Sequence, residues 1–151
     1  DNYDLILFDC PPALSNITAA ATCASDTVLI PINPDQFSMD GLNMTISEIK
    51  RIRESYNLTL CYKIIWNKYD ARKKRLTPKY MYQVAQDIEK IDNVFSTLIR
   101  TDSSFDHAQD NRCTVFCTNK RSNAKEDIDS LTRDLLDIYF DFENEEPIIK
   151  E

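Results

Sequence analysis

The sequence predicts an α/β fold, three layers deep, with a mostly parallel sheet covered by helices on both faces. Three observations lead there. Apolar runs at 5–8, 27–32, 60–66 and 94–99 are separated by longer stretches in which apolar residues recur at three- and four-residue spacing. Several of those runs lack the polar alternation of a half-solvated strand, which is how strands buried on both faces read. Strands that alternate with helices imply crossover connections, and so parallel pairing.

The first run, Leu5, Ile6, Leu7 and Phe8, stops at Asp9 and is followed by Cys10, Pro11 and Pro12. A carboxylate closing a buried strand stands at the sheet edge where open α/β folds place their ligands. Neither proline can extend a ladder, so a stiff loop should follow. Two readings stay open for Asp9: a Walker B type carboxylate that holds magnesium through a water beside a nucleotide, or an acid that caps a turn. Ser15 or Asn16 can then cap a short helix with Ile17, Ala20, Ala21 and Ala24 on its inner face. Residues 27–32, rich in β-branched side chains, form a second strand that Asn33 and Pro34 end. From about 38 to 56, Met39, Leu42, Ile46, Ile49 and Tyr56 mark the inner face of a helix. The third strand, 60–66, ends at Asn67 and gives way to a basic loop. Thr77 as cap and Pro78 as first helical residue open another helix, with Met81, Val84, Ile88 and Ile91 as its stripe. A fourth, weaker strand at 94–99 precedes a segment expected to hold a short helix and a brief strand at 114–117. Asn123 with Glu126 resembles a capping box, and Ile128, Leu131, Leu135, Ile138, Tyr139 and Phe142 give the closing helix one apolar face.

Length and composition bound the rest. With 151 residues, 42% of them hydrophobic, the chain is about one domain with its own core, read here as 1–142 followed by an acidic tail over 143–151. No apolar run reaches the ~20 residues of a membrane-spanning helix and no signal peptide opens the chain, so a cytoplasmic protein is expected. The five cysteines, Cys10, Cys23, Cys61, Cys113 and Cys117, are expected to be reduced and buried. With the single histidine, His107, the last two fit no standard zinc spacing. Gly41 is the only glycine. A phosphate-cradling G-x-x-x-x-G-K-[ST] loop needs two, so the chain holds at most half of a nucleotide site and reads as the C-terminal portion of a longer protein. The net charge of −7 hides an asymmetry: seven basic residues face one acid between Lys63 and Lys79, whereas ten acids face Arg133 and Lys150 from Glu126 onward.

Several of these pieces fall in one order. Tyr3-Asp4-x-Ile6-x-x-Asp9-Cys10-Pro11-Pro12, then Asp26-x-Val28-Leu29-Ile30-Pro31, then Pro34-x-x-Phe37-x-x-Asp40-Gly41-Leu42, resembles the ParA-type partition ATPases, relatives of MinD in the deviant-Walker group with a P-loop NTPase-like fold. Asn67-x-Tyr69-Asp70-x-Arg72 looks like a strand-end motif of the same family, and the likeness runs from Tyr3 to about Leu136. The resemblance implies that Asp9 is the switch II carboxylate holding a magnesium-bound water, with Pro11 and Pro12 in the part of that switch that senses the γ-phosphate. It implies that Asn67 contacts the base, and that Arg100 and Thr101 fall where many members carry Pro-Arg beside the adenine. The segment from Phe37 to Leu42 resembles a region near the face where two subunits sandwich two nucleotides. ATP and magnesium would be the cofactors of the intact protein, a homodimer that binds DNA non-specifically and answers to a ParB-like centromere-binding partner in segregating a plasmid or chromosome at the nucleoid. This polypeptide alone, lacking the family's phosphate loop and switch I acid, is expected neither to hydrolyse ATP nor to bind it tightly.

Other classes compete. A MinD-like membrane-cycling ATPase would end in a basic amphipathic helix, whereas this chain ends acidic. Bacterial tyrosine autokinases share a strand-Asp-x-Pro-Pro stretch but end in a tyrosine cluster, and only Tyr139 lies near this terminus. A non-enzymatic interaction module that kept the sheet is the remaining alternative. Arg72, Lys73, Lys74 and Arg75 read either as DNA-phosphate contacts or as a solvated loop. An unpaired sheet edge and exposed apolar helix surface are expected to promote self-association. The nucleotide reading requires Asp9 to point into a cleft from the end of a buried strand.

Overall fold

The structure is a computed structural model that describes residues 3–13, 15–73, 76–118, 120–141 and 146–147. Helix α1 (Asn16–Cys23) leads to strand β1 (Thr27–Ile32), helix α2 (Gln36–Tyr56), strand β2 (Cys61–Tyr69), helices α3 (Leu76–Ala85) and α4 (Ile88–Ile91), and strand β3 (Val94–Arg100). Helix α5 (Ser103–Asp110), a 3-10 turn (Val115–Cys117) and helix α6 (Asn123–Tyr139) follow. A two-residue antiparallel pair, β4 (Phe140–Asp141) with β5 (Glu146–Pro147), closes the described chain.

The three long strands form one parallel sheet in the order β1-β2-β3. Ile30 lies opposite Ile64 and Ile32 opposite Trp66, so β-branched and aromatic side chains share one face. That face packs under α2 and α3: Ile30, Ile32, Tyr62, Ile64 and Trp66 meet Met39, Leu42, Ile46 and Ile49 of α2 and Tyr80 and Val84 of α3 in one core. Each such side chain fully withdrawn from water stabilises the fold by about 1.5–3 kcal/mol. Ile65 and Ile99 point the other way by the pleat and are also buried, so both faces of the sheet are covered. The α/β class expected from the sequence is therefore the one observed. Asp35 caps α2 by accepting the Ser38 N–H at 2.8 Å, and Asn57 ends it in the left-handed conformation that Asn tolerates.

Strand β3 is an edge strand, and its outward N–H groups need partners. Helix α6 supplies them. Asp134 accepts from the Thr97 N–H at 3.2 Å and Asp127 from the Arg100 N–H at 2.8 Å. Asp127, only 6% exposed, also holds the Arg100 guanidinium at 2.6 and 2.9 Å, so a buried carboxylate closes the edge and pairs its charge at once.

Several elements differ from expectation. Residues 5–8 form no strand: Leu5, Ile6, Leu7 and Phe8 are 42%, 66%, 72% and 55% exposed, and the segment joins no ladder among the described residues. An all-apolar strand needs a hydrogen-bonded neighbour and cover on both faces, and among the described residues the segment has neither, although the far side of β1 is unpaired. Helix α1 buries Thr22 and leaves Ile17 exposed, so its predicted inner face is not the packed one. In α2, Ile52 also joins the buried stripe, whereas Tyr56, the last residue of the helix, is exposed. Strand β2 runs on to Tyr69, so Asn67 lies within it. Helix α3 starts at Leu76, which puts Pro78 third in the helix, where its missing N–H would have lacked an intrahelical partner anyway. Ile91 is exposed in the separate α4, while Tyr80, not expected, is in the core. Residues 115–117 make a 3-10 turn instead of a strand. Ser122, not Asn123, caps α6: its hydroxyl accepts from the Lys125 N–H, and the Asn123 N–H is taken by Asp102. The thiols form no disulfide among the described residues, yet Cys10, Cys61 and Cys117 are exposed and not buried as expected. Phe142 and the expected tail at 143–145 and 148–151 lie outside the described residues, as do the side chains of Thr77, Ile88 and Tyr139.

Replacing Asp127 with Asn keeps the shape but removes the charge that holds Arg100. Because Arg100 is partly solvated, a loss of about 1.5–3 kcal/mol is expected in urea unfolding, the range for hydrogen bonds to charged groups. Asp129→Asn, whose partner Arg133 is solvent-exposed one turn away, should cost less than about 0.5 kcal/mol in the same assay.

Candidate functional site

Because all three strands run the same way, their carboxyl ends gather at one edge of the sheet. Each leads into a loop organised by an aspartate. Asp35 follows β1. After β2, Asp70 receives the Arg72 N–H at 3.0 Å and grips its guanidinium at 2.9 and 3.0 Å. After β3, Asp102 accepts from the Ser104 N–H at 2.8 Å and from the Asn123 N–H at 3.1 Å, tying the starts of α5 and α6 together. Capping of this kind positions the loops without any ligand.

Of the residues singled out in the sequence, Asn67, Arg100 and Thr101 are brought to this edge. Tyr69 pairs with Arg100, and the Thr101 N–H donates to the Tyr69 carbonyl at 2.8 Å, so the β2 and β3 ends are bonded to each other. The pairing is irregular here. Register shifts between Ile64 and Tyr69, with Lys68 in the left-handed region at φ 52°, twist the end of β2 and re-aim its side chains. Asn67 spends its Oδ1 on the Lys68 N–H at 2.9 Å, supporting that bend. The Arg100 guanidinium is committed to α6, where Asp127 and Glu126 hold it and Arg121 holds Glu126 in turn at 2.6 Å. A base contact at this position would therefore fall to the backbone or to Thr101.

Asp9, Pro11 and Pro12 are not brought there by any described bond. All three are exposed, Asp9 makes no hydrogen bond or ion pair among the described residues, and the Pro11 carbonyl accepts only the Ala13 N–H at 2.8 Å. The strand-end cleft that the nucleotide reading requires of Asp9 is absent among the described residues, for the same reason that residues 5–8 stand unpaired. Among the described residues no three acids, histidines or cysteines converge as a metal site. Magnesium keeps most of its waters and takes one or two carboxylates plus substrate phosphates, so Asp9 fits it only as one contributor.

The basic loop is partly described: Arg72 and Lys73 are exposed, and Lys74 and Arg75 lie outside the described residues. Lys79 stacks on Tyr80, its ammonium 5.3 Å from the ring centre. The clamp from Arg72 holds the Asp70 carboxyl well below the usual range, at about 2. A lowered carboxyl keeps its contribution above the unfolded value of about 3.9 and loses it as pH falls through about 2. An NMR titration should therefore find Asp70 ionised to about pH 2, and Arg72→Ala should return its midpoint toward about 3.9.

A family model described as an AAA domain matches residues 1–62. The chromosome-partitioning ATPase Soj of Treponema pallidum is 35% identical over 66% of this chain and 38% of its own length. The sporulation initiation inhibitor protein Soj of Bacillus subtilis is 31% identical over 65% and 38%. A ParA family protein of Chlamydia pneumoniae is 30% identical over 90% of this chain and 52% of its own. The chain thus spans about two fifths to one half of the curated relatives it matches. The likeness covers the opening segment, the parallel strands and the loops between them, and it stands independently of where Asp9 points: the chain belongs to the ParA-type partition ATPase family.

Proposed function

We propose that this chain serves DNA partitioning as part of a ParA-like ATPase that works with ATP and magnesium, dimerises, binds DNA without reading sequence and is stimulated by a ParB-like centromere-binding protein. The observation that carries the reading is the kinship over the ordered Asp9-Pro11-Pro12 and Asp40-Gly41-Leu42 stretches, joined to a sheet edge where the end of β2, which carries Asn67, is bonded through Tyr69 to Arg100 and Thr101. In this reading Asp9 supplies the switch II carboxylate and Pro11 and Pro12 the stiff segment after it. Asn67, its Oδ1 already used, would meet an adenine acceptor through its amide N–H groups. Thr101 borders the same edge, and Arg100 keeps that edge in shape through Asp127. The working place is the cytoplasm, on the nucleoid. Among the described residues no helix is long and apolar enough to cross a membrane.

One glycine cannot build the family's phosphate loop, so the groups that do most of phosphoryl transfer by positioning and charge neutralisation are not supplied by this chain. Millimolar magnesium-ATP should give neither a thermal shift nor turnover with this polypeptide. Either signal would show a complete site and overturn the half-site reading.

In the same reading the loop of Arg72, Lys73, Lys74 and Arg75 supplies phosphate contacts, with Arg72 shared with Asp70 and Lys73 the described residue whose charge is open. Changing Lys73 and Lys74 together to Glu in a protein with the complete ATPase domain should weaken DNA binding uniformly across sequences. The slope of log affinity against log salt should fall by about one for each phosphate that the variant no longer neutralises. An unchanged slope would leave this loop as solvated surface.

A further inference from the structure

The connection between α5 and α6 carries a pair of thiols in unlike surroundings. Helix α5 ends with the Arg112 N–H on the Gln109 carbonyl at 3.0 Å and the Cys113 N–H on the Ala108 carbonyl at 2.9 Å, Arg112 being left-handed at φ 50°. That is the double closure of a Schellman motif, and it anchors Cys113 to the helix. The 3-10 turn then folds the chain back, the Cys117 N–H donating to the Thr114 carbonyl at 3.1 Å. As a result the Thr114 hydroxyl lies 3.7 Å from the Cys117 sulfur, and the Cys113 thiol is its other neighbour. Lys125, in the first turn of α6, is bonded to the carbonyl of Thr118, the residue after Cys117, which places a cation beside the sulfur.

Cys117 is exposed and Cys113 half-buried. Donation from Thr114, then from Cys113, with the Lys125 charge, favours the Cys117 thiolate, while the same contact holds the proton on Cys113. One sulfur is thus set up to attack and the other to follow. Cys61, also exposed, instead directs its thiol at the Thr59 carbonyl at 3.9 Å.

We propose that Cys117 and Cys113 form a thiol–disulfide exchange site that reacts with a low-molecular-weight disulfide such as glutathione disulfide. The Cys117 thiolate attacks one sulfur of the small disulfide, whose S–S bond breaks; a mixed disulfide forms on Cys117 and one small thiolate leaves. Cys113 gives up its proton to solvent and attacks the Cys117 sulfur, expelling the second small thiolate and closing a Cys113–Cys117 disulfide. Two cysteine thiols are oxidised by two electrons, and one small disulfide is reduced to two thiols. The link would lock the end of α5 to the 3-10 turn that precedes α6. The inference is independent of the nucleotide and DNA reading.

The experiment incubates the folded chain with glutathione disulfide, quenches in acid and maps the adducts by non-reducing peptide mass spectrometry. Cys117 should react at least ~3-fold faster than the exposed Cys10 and Cys61, and the end product should be a Cys113–Cys117 link free of glutathione. Cys113→Ser should stall at a glutathione adduct on Cys117, Cys117→Ser should leave this segment unmodified, and Thr114→Val should slow the first step. Equal rates at Cys10, Cys61 and Cys117, or an adduct on wild-type Cys117 that never resolves, would overturn the proposal.

Discussion

Every ladder of the main sheet passes through β2. It is bonded to β1 on one side and to β3 on the other, its Ile64 is wholly buried, and the core under α2 and α3 is assembled on its Tyr62, Ile64 and Trp66. Parallel pairing evenly commits the backbone groups of a central strand, so such a strand is held in place and direction by its neighbours. The site inherits its geometry from that constraint. The ends of β2 and β3 are joined through Tyr69, Arg100 and Thr101, and the register shifts between Ile64 and Tyr69 set this ladder apart from the regular pairing of β1 with β2.

The two edges of this sheet meet the demand for satisfied backbone groups in opposite ways. Along β3 the carboxylates of Asp127 and Asp134 reach over from α6 and accept the outward N–H groups, and the Arg100 guanidinium neutralises the buried one. A helix with acids at those positions thereby makes the edge a poor template for another strand. The far side of β1 has no partner among the described residues, and Pro31 within it subtracts a donor, a residue that strands accept at edges. Leu5 to Phe8 lie exposed, a run of apolar surface that water does not favour.

Family kinship and geometry bear on different halves of the candidate site. The family model matches the Asp9 segment, where the structure provides an acid with no neighbour to act with among the described residues. The structure, for its part, organises the Asn67 and Thr101 edge through bonds that are present without any ligand. The acid loops at Asp35, Asp70 and Asp102 are all accounted for by capping, and the charge of Arg72 is largely spent on Asp70, so Lys73 is the described residue of that loop whose charge is open to a polyanion. Electrostatic attraction to phosphates needs no defined geometry, which is why such a loop suits sequence-independent binding.

The amino-acid order by itself determined what depends on local periodicity: β1 over its whole length, the α2 stripe from Met39 to Ile49, a cap at Ser15 or Asn16 and the parallel α/β class, because apolar spacing dictates which face a helix or strand must bury. It also determined the motif order that marks the family. Tertiary structure alone decided what depends on a neighbour. Whether Leu5 to Phe8 become a strand turns on a pairing partner that no local pattern contains, and the commitment of Arg100 to Asp127 joins residues far apart in the chain. The cap of α6 is Ser122 and not Asn123, and the Asn123 N–H goes to Asp102, a residue brought near by the fold. Backbone hydrogen bonding is satisfied across space rather than along the chain, so the edges and strand ends where this site lies were the parts least legible beforehand.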